Sequence, residues 1–306
     1  MDSSIKNIDK GLDVLDLMDL IFEKKIKIFL ITSFFTIASI VISLNIDNTY
    51  QSSSTLYQNE MQNQGNASDI GSIASIVGLS DSQQTSSVDF AKEIVFSRFL
   101  INELLKEEDM LIKLMATKSY DLNTNAITFN KKIYDADKKS WTIKNKNGQA
   151  APPSIQQIQN RYNKIVTFTH NKDSGFVNLD VIHKSPIFAF DLLTFIIEKL
   201  NSKARSRAIV EAEKSLFFLE NKLKTTTQYE LRDSLSQLIT NQLDRAMIAN
   251  VEYEYLLKVL DEPFVPEKKA SPNRTLIVII STLMGFVIAI FSIVFSSLIE
   301  QRKPVN

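Results

Sequence analysis

Residues Thr275 to Ile299 read TLIVIISTLMGFVIAIFSIVFSSLI, twenty-five in a row without a charge. Arg274 stands just before them; Glu300, Gln301, Arg302 and Lys303 follow. A soluble core helix needs no uncharged run of this length, whereas about 20 apolar residues cross the roughly 30 Å hydrocarbon core of a bilayer. The stretch therefore predicts a transmembrane helix over 275–299, long enough to span with some tilt. Ahead of it lies DEPFVPEKKASPNR (261–274), containing a proline-rich segment over 263–274 with Pro263, Pro266 and Pro272.

A second uncharged run, IFLITSFFTIASIVISLNI, covers 28–46 and follows Lys24, Lys25 and Lys27. It is too long for the apolar core of a signal peptide, starts well inside the chain and meets no small-x-small cleavage site before Asp47, so it reads as a signal anchor. Three lysines precede the first span, and Arg302 and Lys303 follow the second. The positive-inside rule then puts the segment 1–27 and the tail 300–306 in the cytoplasm, with the region between the spans outside. Lys268, Lys269 and Arg274 oppose this assignment, but the first span usually dominates orientation and long translocated domains largely escape the rule.

The 306 residues hold 35 basic and 35 acidic side chains, so net charge makes no case for nucleic acid. With no Cys, disulfides, thiolate catalysis and cysteine zinc sites are all excluded. His170 and His183 are the only two histidines; zinc needs three or four ligands, so they read as ordinary surface or rim histidines near the open ends of a hairpin. No G-x-G-x-x-G or Walker motif occurs, and no cofactor is expected.

Leu12, Leu15, Met18, Leu20, Ile21 and Phe22 recur at helical spacing with Asp13, Asp16 and Asp19 elsewhere on the turn, a solvated lead-in helix over 1–25. Residues 48–57, NTYQSSSTLY, read as a strand. The polar stretch 58–87, with the apolar island IGSIASIVGL at 70–79, reads as a mobile loop with one docking turn. Helical periodicity runs from Val88 to Lys118, with Ser86 and Asp89 resembling a capping box. Residues 119–150 read as irregular, with Trp141 as a packing anchor. Ser154 and Gln157 suggest a second capping box. Ile165–His170 and Phe176–His183 flank NKDSG as a hairpin with one buried face.

Ser185-Pro186 then opens a helix in the preferred way, with no Pro or Gly up to Leu223. Ile209, Ala212, Leu216, Leu219 and Leu223 step by three and four. KTTTQ at 224–228 is a bend, and a second helical run from Glu230 to Leu260 carries Leu231, Leu235, Leu238, Leu243, Ala246 and Leu256. One long helix leaves the strands and another returns toward the membrane; such a helix must pack along its length, on its neighbour or on another subunit. Within the second span, Ser281, Gly285 and Ala289 recur every four residues, a stripe that allows close packing against the first span or a neighbouring subunit.

Taken together, LDVLDLMDLIFEKKIKIFLI leading into the first span, the strand from Tyr50 to Tyr57, IVFSR at 94–98, SGFVNLDVIHKSP at 174–186, FFLENKL at 217–223 and EPFVPEKKASPNR before the second span resemble the chain-length determinant (Wzz) family of polysaccharide co-polymerases. The proline-rich segment is the most specific part. The resemblance implies an α+β protein of the bacterial inner membrane. Two transmembrane helices would flank a periplasmic α/β base (47–185), and a long extended helical hairpin would occupy 186–262. It also implies a homo-oligomeric ring that sets the length of O-antigen or a related polysaccharide in the Wzy-dependent pathway, with the polymerase and lipid-linked polysaccharide as partners and no enzymatic activity. The kinase domain of some relatives is not expected, since seven residues without a Walker motif follow the second span. An inner-membrane component of an ABC-transporter-linked capsule export system remains the alternative. An extracellular sensor or a glycosidic enzyme with an unmarked carboxylate pair fits less well.

Overall fold

The computed structural model describes residues 22–59, 87–144 and 148–301. The lead-in helix before Phe22, the loop and apolar island over 60–86, the Ser86 half of its capping box and the tail beyond Gln301 lie outside the described residues. The chain divides into two compact units, Met1–Asn48 with Ser271–Asn306, and Thr49–Ala270.

In the first unit, helix α1 (Lys25–Asn45) packs on the last helix (Arg274–Gln301). Both are long and apolar enough to cross a membrane, and only 17% of each apolar window is buried. A core helix of a soluble protein would be mostly covered. Here Phe29, Phe34, Leu283 and Phe291 face outward, as a lipid solvent permits.

The second unit is built on a four-stranded antiparallel sheet. Its central strand β1 (Tyr50–Gln58) alternates strictly, with Tyr50, Ser52, Ser54 and Leu56 facing inward. Two buried serines would be costly without partners. The Ser52 hydroxyl donates to the Phe264 carbonyl and the Ser54 hydroxyl to the Asp261 carbonyl, both at 2.7 Å. Three short helices follow: α2 (Ser87–Val95), α3 (Arg98–Lys106) and α4 (Glu108–Ala116). The periodicity from Val88 to Lys118 thus belongs to three helices and not one. Breaks at Phe96–Ser97 and Glu107 let each bury its own face, Ile94, Leu104 and Leu114 among them.

Residues 119–150, expected to be irregular, contain two small ribbons. Strands β2 (Thr117–Asp121) and β3 (Ala126–Phe129) form the first, and β4 (Tyr134–Asp135) and β5 (Ser140–Trp141) the second. Their turns are made by side-chain chemistry. The Asp121 carboxylate accepts from the Asn123 amide and the Thr124 hydroxyl, and Asn125 takes a left-handed φ of 53° that asparagine tolerates. Trp141 does act in packing, edge-on to Tyr134 at 5.3 Å.

Helix α5 (Ile155–Ile165) starts with the reciprocal capping box of Ser154 and Gln157, as the sequence suggests. The hairpin of β6 (Val166–His170) and β7 (Val177–His183) joins the sheet, whose order is β6-β7-β1-β8. On β7, Val177, Leu179, Val181 and His183 are buried in alternation. Each of the two histidines departs from the expectation in one respect. His170 pairs with Val177 beside the turn, not at the open end, and His183, opposite Tyr50 at the open end, is 2% exposed and so not a rim residue.

Helix α6 (Pro186–Thr225) begins with the Ser185 hydroxyl accepting from the Phe188 amide and Pro186 in the first turn. At about 1.5 Å per residue its 40 residues span roughly 60 Å. Its first half buries Phe188, Leu192, Leu193, Ile196 and Leu200 against the sheet and the short helices, each worth about 1.5–3 kcal/mol. Beyond Ala204 only Ala212 is buried, and the helix packs instead on α7 (Tyr229–Val251) across a three-residue link. Arg232 donates to the Leu223 and Thr226 carbonyls, satisfying acceptors that a helix end leaves open. Leu231 and Leu243, expected on the seam, are about half exposed.

The helix expected to reach Leu260 stops at Val251, and Leu257–Asp261 is strand β8, an edge of the sheet beside β1. Asn201 of α6, 3% exposed, explains the exit. Its Oδ1 accepts from the Leu256 and Leu257 amides at 2.9 and 3.1 Å, while its Nδ2 donates to the Leu257 carbonyl at 2.9 Å. The last helix, Arg274–Gln301, is α8.

Candidate functional site

Three places could carry function: the proline-rich segment, the packed spans and a cleft beside the start of α6. The proline-rich segment is tied down. Beyond β8 the chain stays beside β1, held by the Ser54 and Ser52 hydroxyls and then by the Ala270 amide donating to the Thr49 carbonyl at 2.8 Å. Proline has no amide hydrogen, which suits a strip that runs along a sheet edge without completing a ladder. Pro263 is half-buried and Pro266 buried, while Phe264 and Val265 between them are about half exposed. Pro272, also buried, follows a cis bond from Ser271 in the unit of the spans, where Asn273 Oδ1 accepts from the Leu276 amide at the start of α8. The serine-rich strand was a readable signal for this attachment: serines at inward positions of a strand require acceptors.

Of the small-residue stripe, Ser281 is half-buried and Gly285 and Ala289 are buried. A Cβ built on Gly285 would lie 2.7 Å from Phe35 Cβ, so the backbone of α8 runs against the Phe35 side chain. Ala289 packs with Ile28 and Ile293. Sequence reasoning missed the complementary residues on α1. Ser39 and Ser43 are buried there, and the Thr36 hydroxyl meets that of Thr282 at 3.0 Å. Polar contacts of this kind add to close packing between helices in lipid.

The cleft, of 270 Å³, is lined by Lys113 of α4, Tyr120 of β2, Asn125, Ile127 and Phe129 of the β2–β3 ribbon, and Ser185, Ile187 and Phe188 at the start of α6. Tyr120 faces Ile127 across the ribbon, and its phenol donates to Asn125 Oδ1 at 2.7 Å. Burial, then Tyr50, then Asp121 push that phenol up, so it stays protonated. Lys113 pairs with Asp109 at 2.6 Å. Nearby, burial raises the Asp191 carboxyl, Lys113 opposes the rise and Asp109 adds to it.

Beside these elements lies His183. Its Nδ1 accepts from the Ser185 amide at 3.1 Å and its ring meets Phe188 edge-on at 4.4 Å. Burial above all, then the Arg161 charge, hold it neutral with a pKa lowered to about 3. Among the described residues no group of three or more His, Cys, Asp or Glu side chains could hold a metal ion.

Residues 10–117 match the family model described as Wzz, chain length determinant protein. Over that stretch the chain is similar to the Wzz family. Members of this family determine polysaccharide chain length as non-catalytic regulators. No curated protein matches the chain. Among solved structures, a full-length bacterial polysaccharide co-polymerase is similar at 10% identity, covering 96% of this chain and 100% of its own, with a TM-score of 0.40.

Proposed function

We propose that the chain regulates the length of a surface polysaccharide of the O-antigen type in the Wzy-dependent pathway, as a non-catalytic, oligomeric inner-membrane scaffold. The match of residues 10–117 to the Wzz family model carries this reading. The two apolar helices support a protein with both termini in the cytoplasm. Residues 47–185 would be a periplasmic base, 186–262 a helical hairpin whose last residues return to the sheet, 263–274 the proline-rich connection, and 28–46 and 275–299 the spans. The polymerase and the lipid-linked polysaccharide are its partners. A ring would gather polymerase molecules, with the growing chain lying along the helices.

The test is a silver-stained gel of lipopolysaccharide from cells with and without the gene. Deletion should turn a clustered ladder into a broad one, and the restored gene should bring the cluster back. Loss of long polysaccharide from the surface, with accumulation inside, would instead assign the protein to transporter-linked export.

A further inference from the structure

The cleft beside α6 has the chemistry of a sugar subsite. At 270 Å³ it falls just below the roughly 300–1,000 Å³ of pockets for drug-sized ligands, so one ring fits better than a larger group. Phe129 supplies aromatic surface, Ile127 and Ile187 aliphatic surface, and Tyr120 and Asn125 a polar edge, with buried Phe188 behind the apolar wall. The bond between those two uses the phenol hydrogen and the amide oxygen, leaving the amide hydrogens and the phenol lone pairs to meet a ligand hydroxyl.

Charge narrows the choice. Lys113 is the cation among the lining residues, and it is already paired with Asp109 and close to Asp191. An anionic ligand would have to displace Asp109 or face two carboxylates. An uncharged ring with one apolar face and a hydroxylated edge meets no such penalty.

We infer that this cleft binds one uncharged sugar ring of the polysaccharide, stacked on the apolar wall and hydrogen-bonded by Tyr120 and Asn125. That the ring belongs to the polysaccharide rests on the chain-length reading; the preference for a neutral ring rests on the cleft alone. Such a site grips the polymer in the sheet-bearing unit, at the start of α6 and away from its packing on α7.

The structure supplies its own reporter. Phe129 meets Tyr134 edge-on at 6.0 Å and Tyr134 meets Trp141, the one tryptophan of the chain, at 5.3 Å. The full chain, in a detergent without a sugar headgroup, is titrated with fragments released by mild acid from the polysaccharide of the same cells. Their neutral monosaccharides, glucuronic acid and inorganic phosphate are titrated in parallel. Tryptophan emission and saturation-transfer NMR are followed.

Neutral fragments should shift the emission and receive saturation. Tyr120→Phe and Asn125→Gly, each removing one polar group, should weaken binding about three- to tenfold. Glycine accepts the φ of 53° at position 125, so that variant folds. Ile127→Phe, which fills the cleft, should abolish saturation transfer. No binding by any fragment, binding of glucuronic acid or phosphate in preference, or affinities indifferent to all three variants would overturn the site.

The two readings part in cells. A gene-dependent ladder cluster that survives the Tyr120→Phe, Asn125→Gly double variant overturns the subsite's role and leaves the chain-length reading standing. A ladder indifferent to the gene, with fragment binding still sensitive to the variants, overturns the chain-length reading and leaves the cleft a sugar site.

Discussion

His183 is walled in by Phe188 and by the turn that starts α6, and its Nδ1 is committed to the Ser185 amide. A proton added to that ring would meet burial first, then the charges of Arg161 and Lys184. The folded pKa of about 3 lies below the ordinary 6.5, so the folded state binds fewer protons than the unfolded state between those values. The contribution is complete above about pH 6.5 and is lost as pH falls toward 3, at up to about 1.4 kcal/mol per pH unit. His183→Asn keeps an oxygen near Nδ1 to accept from Ser185 and cannot take up a proton. Its thermal midpoint, followed from pH 7 to pH 4 in detergent, should fall less steeply than that of the unaltered protein. Parallel slopes would mean that His183 titrates normally. Alternation in VNLDVIH pointed to this burial, since His183 stands at i+2 from Val181. Assigning it to the rim gave residue type more weight than strand period.

At the level of elements, what sequence pattern revealed and what it hid have separate causes. Local chemistry was legible: the Ser154–Gln157 box, Ser185-Pro186, the NKDSG turn, the helix break at the threonines and the two apolar runs are set by neighbours in the chain. β8 was not, because Leu256 and Leu260 continue the leucine spacing of α7, and only Asn201, fifty-five residues away, captures their backbone for the sheet. The β2–β3 and β4–β5 ribbons were hidden because their strands are short and their turns rest on Asp121, Asn125 and Asp135 side chains. The cleft inherits that difficulty, since it joins this ribbon to residues some sixty positions later. Asn201→Ala removes three hydrogen bonds and strands two amides where α7 gives way to β8, so it should cost about 3 kcal/mol or more. A loss below about 1 kcal/mol by thermal unfolding would show that β8 holds its place through β1 alone. In the other unit, the close approach of Phe35 and Gly285 makes a different prediction. The chain lacks cysteine, so Thr36→Cys with Thr282→Cys gives a clean reporter across the 3.0 Å hydroxyl contact. This pair should oxidise to an intramolecular disulfide. Adding Gly285→Leu should slow the reaction about tenfold, and Phe35→Ala should restore it. An unchanged rate in the leucine variant would mean that the spans do not depend on this contact.

For the molecule as a whole, the remaining question is what covers the outer faces of α6 and α7. Val210 and Phe217 lie seven residues apart on α6, and Leu243, Met247 and Val251 recur every four on α7. Phe217 is 72% exposed, Met247 61% and Val251 70%. A soluble surface seldom leaves contiguous apolar stripes uncovered without a partner. The ring proposed above would give these stripes a neighbouring copy to meet. Inside one chain, the seam of Ile209, Leu216, Leu219 and Leu235 is already half-buried, so a charge on the outer stripes should leave the α6–α7 pair folded. Phe217→Glu with Met247→Glu is therefore expected to reduce the mass of the detergent-solubilised assembly by sedimentation while its helical circular dichroism is kept. In cells the same variant should broaden the polysaccharide ladder. If the mass falls and the ladder stays clustered, length control does not require the ring. If the mass is unchanged, the stripes are not the contact between copies, and assembly must be sought in the spans.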